Sequence, residues 1–126
     1  MASPHLKASQ GGHLLNPMGT VHGGWALTLI DSVAACAGHS LLPAGVGYTT
    51  IETKGNFSRP ITKDAGRIRA EARVAAQGRR IISSEARVLA QDRRVLAYGV
   101  STIMVLGSAK GCCGERADGA LKEKRI

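Results

Sequence analysis

Aromatic side chains are scarce in this chain: its 126 residues include one Trp, two Tyr and one Phe. Single-stranded nucleic acids are held largely by stacking on aromatic rings, and these four rings are not interleaved with the arginines. Nucleic acid is therefore not expected as a partner. The same scarcity leaves the core to Ala, Val, Ile and Leu. Cysteine is nearly as rare. Cys36 lies in an apolar stretch and Cys112 and Cys113 are neighbours, so the three thiols form no paired framework, and a reducing, cytoplasmic setting is expected. No Cys or His stands at a ligand spacing from Cys112 and Cys113, so no metal site is expected. The first residues lack a basic stretch followed by an apolar run, so no secretory signal is expected. The longest apolar segment contains Asp31 and His39, which argues against a membrane span.

Hydrophobic residues make up 44% of the chain and charged residues 21%, the proportions of one ordinary globular domain. The net charge of +8 is unevenly placed. Residues 1–58 are balanced, residues 59–94 carry ten basic and four acidic side chains, residues 95–106 carry none, and the remainder is again basic. A local basic excess suits a polyanionic partner, although a solvated surface has the same composition.

Two periodicities follow one another. Residues 23–42 (GGWALTLIDSVAACAGHSLL) are rich in Ala and Leu, free of Pro and apolar nearly all round. That predicts one long helix buried on most sides, stopped by Pro43 and Gly45. After Gly47 the period becomes two. Ile51, Thr53, Gly55 and Phe57 fall on one face of a first strand. Ile68, Ala70, Ala72, Val74 and Ala76 mark a second. Ile82, Ser84, Ala86, Val88 and Ala90 mark a third, with Ile81 and Leu89 on its outer face. Val95 to Leu106 forms a last strand apolar on both faces. The last three strands read as a meander, and a short strand before the helix is expected within residues 1–15. The organisation is therefore a loose N-terminal arm (1–13), one domain (14–106) and a basic, disordered tail (107–126). The fold class is α+β, a central helix wrapped by a curved antiparallel sheet. One helix cannot cover every apolar face of the last strand, so a homodimer, or a dimer of dimers, is expected to bury the rest.

Asp31 is the only formal charge between Lys7 and Glu52. A carboxylate in the middle of a buried helix is costly unless it is paired, hydrogen-bonded or used. Just before it, Asn16-Pro-Met-Gly-Thr-Val-His22-Gly23-Gly24 leads into the helix. Two glycines at a helix start allow close approach and leave N–H groups at the positive end of the helix dipole, where they can polarise a carbonyl oxygen. Eight residues of helix separate Gly23 from Asp31, a rise of roughly 12 Å. The two cannot act on one atom within one chain, which again favours a dimer.

The pattern N-x5-HGG-x6-D, followed by a strand ending in Asn56-Phe57-Ser58-Arg59-Pro60, resembles the hotdog-fold acyl-CoA thioesterases of the phenylacetic-acid-degradation (4-hydroxybenzoyl-CoA thioesterase-like) type, over residues 14–106. The resemblance implies a hotdog fold with active sites at a dimer interface, acting on a small or medium acyl-CoA, aromatic acyl groups included. It gives Asp31 the role of nucleophile or general base. It makes the Gly23 N–H the oxyanion donor, His22 an orienting group, and Asn16 a group that places the carbonyl or water. A strand hydroxyl is expected from Thr50, with Thr49 as the alternative. A subgroup that uses Glu at the acidic position has a Thr four residues later; here those positions hold Asp31 and Ala35, in line with the Asp type. Gly24, Thr49, Arg59, Arg79 and Arg80 are expected to contact substrate, the arginines through the phosphates of coenzyme A. No cofactor is implied beyond the CoA of the substrate. The competing readings are a hotdog hydratase or dehydratase and a non-catalytic acyl-CoA-binding protein.

Overall fold

The computed structural model describes residues 4–108; most of the expected tail, with Cys112 and Cys113, lies outside the described residues. Helix α1 (Gly23–His39) forms where Ala and Leu dominate. It ends three residues earlier than the composition suggests. The Leu41 and Leu42 N–H groups donate to Gly38 and His39, at 3.2 and 3.0 Å, a tightened turn that leads into Pro43, which disfavours helix in the residue before it. Four strands follow: β2 (Val46–Phe57), β3 (Ile68–Gln77), β4 (Ile81–Leu89) and β5 (Val95–Ser108). The short strand expected within residues 1–15 is β1 (His5–Ala8), which pairs along the edge of β3. The sheet order is β1-β3-β4-β5-β2 and every neighbouring pair is antiparallel. β3, β4 and β5 make the expected meander, and the whole is the hotdog architecture, one helix held in the hollow of a curled sheet.

The core lies between α1 and the sheet's inner face. Ile30, Val33, Ala34 and Ala37 of α1 meet Ile68, Ala70 and Ala72 of β3, Ala86 and Val88 of β4, and Ala97 of β5. Small residues let the sheet close on the helix: a methyl at Gly38 would stand 2.6 Å from Cδ1 of Ile103. At Gly99 a methyl would overlap the carbonyl oxygen of Lys54 on β2, and backbone cannot move aside as a side chain does. Gly99→Ala is therefore expected to destabilise the fold by about 1–3 kcal/mol, read as a lower urea midpoint. Gly12→Ala, with open space around it, should stay within about 0.5 kcal/mol of the parent.

One irregularity shifts a residue from its expected face. Between Thr50 and Glu52 the β2–β5 register slips, leaving Ile51 unpaired and 52% exposed. A bulge inserts one extra residue, so the inner face resumes at Thr53. Leu89 keeps its expected outer face, paired in register with Arg69, and is 4% exposed there beside Lys7, Arg67 and Arg69. Phe57 also departs from expectation: at the end of β2 it is 56% exposed rather than in the core.

Two surfaces stay open. β2 is a twelve-residue edge strand. A stripe along α1, Gly24, Thr28, Ser32, Cys36 and His39, is exposed or half-buried, so the helix is not covered all round. Among the described residues no helix is long and apolar enough to cross a membrane.

Candidate active site

The loop before α1 is built around Asn16. Its Oδ1 accepts the N–H groups of Met18 (3.0 Å) and Thr20 (3.2 Å), and its Nδ2 donates to Thr20 Oγ1 (2.9 Å). These are side-chain turns in which Asn mimics backbone. The carbonyl of Asn16 is thus committed to its own loop, and one N–H of its amide stays available. A bridge between Leu15 and Val21 closes the loop and delivers His22 as the N-cap of α1, where its Nδ1 accepts the Gly24 N–H at 3.2 Å. The neutral ring then carries its proton on Nε2. The Gly24 N–H is thus taken by the cap. The Gly23 N–H, at the first helical position, has no hydrogen-bond partner among the described residues.

That N–H stands at a cleft of about 260 Å³ lined by Asn16, Thr20, Gly23, Phe57, Arg59 and Leu96, among others. The Phe57 ring lies over Gly23, close enough that a Cβ on Gly23 would be 3.0 Å from it. The cleft therefore combines an open N–H, the start of the helix dipole and an aromatic wall.

Asp31 lies two turns further along α1 and does not line this cleft. It is half-buried and faces β2 and β5. Thr53 Oγ1 donates to its Oδ1 at 2.8 Å and Ser101 Oγ donates to the same oxygen at 3.0 Å. Thr53 and Ser101 are partners in the β2–β5 register. Neither was among the expected site residues, yet both sat in inward strand positions where every other side chain was apolar or absent, and that was the available signal. Thr50 lies on the inner face opposite Ile103, and Thr49 is exposed. Neither side chain bonds Asp31 among the described residues.

The remaining expected residues separate along the sheet. Arg59 is tied to Leu96 at the start of β5. Arg79 and Arg80 stand on the β3–β4 turn, and Val105 donates to the Arg80 carbonyl. Nine residues of strand between Leu96 and Val105 span roughly 30 Å. Within one chain Arg59 therefore cannot share a phosphate group with Arg79 and Arg80. None of the three has an ion pair among the described residues, whereas Arg73 pairs with Glu85 at 2.7 Å and Arg69 and Arg93 with Glu71. A cavity of about 760 Å³ lies elsewhere, against β3, β4 and β5. Of the residues that line the cleft at Gly23 it shares only Ser58, and Glu71, Arg73, Glu85 and Arg87 are among its lining. No group of three His, Cys, Asp or Glu side chains suited to a metal ion occurs among the described residues.

The model of the thioesterase superfamily matches residues 18–97, a span that holds His22, Gly23, Asp31 and Thr53. The chain belongs to the thioesterase superfamily. Solved structures similar to this superfamily member agree with the fold. A conserved protein of Pseudomonas aeruginosa is 32% identical, with a TM-score of 0.74, over 81% of this chain and 79% of that one. A Bacillus halodurans protein, solved with CoA, is 28% identical with a TM-score of 0.75, over 82% of this chain and 68% of that one. A phenylacetic acid degradation-related protein of Ralstonia eutropha is 28% identical with a TM-score of 0.73, over 80% and 74% of the two chains. No curated protein matches the chain.

Proposed function

We propose that this member of the thioesterase superfamily hydrolyses acyl-CoA, in the manner of the phenylacetic-acid-degradation type, at sites shared between two copies of the chain. The observation that carries the reading is the open Gly23 N–H at the start of α1, on a cleft walled by Phe57, Val21, Ala26 and Leu96. A thioester carbonyl placed there would lie at the positive end of the helix, where charge on its oxygen is stabilised as the tetrahedral intermediate forms. The cleft's volume suits a short or aromatic acyl group, and the Bacillus halodurans relative solved with CoA supports a CoA ester as the donor.

The carboxylate is supplied by the second copy. β2 is the long open edge, and pairing two such edges about a two-fold axis is antiparallel. That arrangement sets the Thr49–Thr50 end of one β2 beside the Phe57–Arg59 end of the other. It also brings Arg79 and Arg80 of one copy toward Arg59 of its mate, uniting groups that one chain keeps roughly 30 Å apart. Asp31 of that copy then acts in one of two ways. As nucleophile it adds to the carbonyl carbon, the C–S bond breaks to release CoA thiolate, and water cleaves the resulting mixed anhydride to free acid and restored Asp31. As base it takes a proton from water, whose oxygen adds to the carbonyl carbon; the C–S bond breaks and the thiolate leaves with the proton held by Asp31. The open amide hydrogen of Asn16 and the Nε2–H of His22 are donors that can orient the carbonyl or water. No cofactor is needed for these steps. Two dimers pairing through their outer sheet faces would complete a tetramer.

The test is thiol release from a panel of acyl-CoA esters, run also on co-expressed Asp31→Asn and Gly23→Pro chains. Each variant alone is expected to be inactive. Their mixture should regain about one quarter of the parent activity, since half the dimers are mixed and each holds one intact site. A mixture as inactive as its components would sink the shared site. A parent protein that releases no thiol from any ester would sink the hydrolase.

A further inference from the structure

We infer that Thr53 and Ser101 are positioning residues that fix which oxygen of Asp31 reacts. The inference rests on the catalytic reading of Asp31 given above and deepens it. Both hydroxyls bond the same carboxylate oxygen: Thr53 Oγ1 lies 2.8 Å and Ser101 Oγ 3.0 Å from Oδ1. No hydrogen bond reaches Oδ2 among the described residues. The carboxylate is therefore held by one arm and offers the other. A hydroxyl carries a single proton, so the two hydroxyls hold two protons for four contacts: each to Asp31, the 2.8 Å contact between Thr53 and Ser101, and a longer one from Ser101 Oγ to the Glu52 carbonyl at 3.4 Å. The contacts to the carboxylate are shorter than the one to the Glu52 carbonyl and end on a charged oxygen, so the network polarises toward Oδ1.

The setting makes this clamp stiff. Ser101 is 1% exposed and paired in register with Thr53, so the two hydroxyls come from adjacent strands of one ladder. Thr53 owes its inward direction to the bulge at Ile51; without the extra residue, the run from Thr50 would have turned it outward. Asp31 faces the sheet but is only half-buried, next to Ser32 of the stripe that the sheet leaves open, and its unbonded oxygen is the one free to meet a substrate. A carboxylate turned freely about its side-chain bonds would spend little time in a productive geometry, and misplacement by about 1 Å lowers rates by about 10²-fold. Ser84 supplies an internal comparison. It lies one strand further along the same row, opposite Ser101, is 1% exposed, and its hydroxyl has no partner among the described residues.

The experiment is steady-state hydrolysis by Thr53→Val, Ser101→Ala, the double variant, Thr53→Ser and Ser84→Ala, alongside Asp31→Asn. Expected is a fall in kcat of about 10²-fold in the double variant with KM little changed, because the hydroxyls touch the carboxylate and not the substrate. Thr53→Ser keeps the donor and should restore kcat to near the parent value. Ser84→Ala, an equal loss of a buried hydroxyl, should match the parent. A folded double variant with parental kcat, while Asp31→Asn is inactive, overturns the positioning role and leaves the catalytic one standing. Parental activity in Asp31→Asn overturns both. Should the double variant fail to fold, Ser101→Ala, which removes one buried atom, decides between the same outcomes.

Discussion

Asp31→Asn should lower kcat for acyl-CoA hydrolysis by about 10³-fold or more while leaving the fold and the subunit assembly intact. The substitution is nearly isosteric. An amide oxygen can still accept the protons of Thr53 and Ser101 that now reach Oδ1, so the clamp survives and the side chain keeps its place on α1. What changes is the other arm, which becomes an NH₂ group that can neither take a proton from water nor attack a carbonyl carbon. The carboxylate is half-buried and hydrogen-bonded, so a purely structural role is the competing account of its presence. The two accounts diverge here, since a structural carboxylate replaced by its amide would show a shifted melting temperature and an unchanged kcat. Thiol release at saturating ester, with circular dichroism and mass in solution as checks on the fold, separates them.

The second large effect is expected at Gly23, where the reactive group is backbone and cannot be removed by changing a side chain. Proline removes it. Gly23 is the first helical residue, a position at which proline is at home because the N–H there has no helical partner. His22 precedes it with φ −61° and ψ 135°, the extended conformation that a residue before proline prefers. Gly23→Pro should therefore keep α1 and delete the donor, lowering kcat by about 10²–10³-fold. A Cβ at this site would stand 3.0 Å from the Phe57 ring, so part of any loss comes from crowding. Gly23→Ala adds the same carbon and keeps the N–H, and the ratio between the two variants isolates the donor. Equal activity in both would mean that the N–H does no catalytic work.

Much of the architecture was legible from periodicity. The Ala-rich helix, the three-strand meander and the dense small residues all follow from spacing that survives folding. What was not legible has one common cause. A bulge adds a residue without altering the alternation on either side of it, so Ile51 read as inward until the register was seen. The same blindness hid Thr53 and Ser101 as partners of Asp31, since a hydroxyl in an inward position reads as one more member of a hydrophobic face. The HGG loop carried more information: an open N–H at Gly23 follows from a glycine pair at a helix start, whereas the capping of Gly24 by His22 and the commitment of Asn16 to Met18 and Thr20 depend on a loop shape that no spacing specifies.

The twelve-residue edge of β2 has a consequence for how this molecule persists in a cell. A strand that long, with Ile51 and Phe57 exposed along it, is a template for whatever strand it first meets. In the proposed dimer its protection is mass action: the edge is safe only while another copy occupies it, and each tenfold dilution weakens that occupancy by about 1.4 kcal/mol. Abundance would then be part of the chain's stability, and scarcity as well as heat a route to its loss.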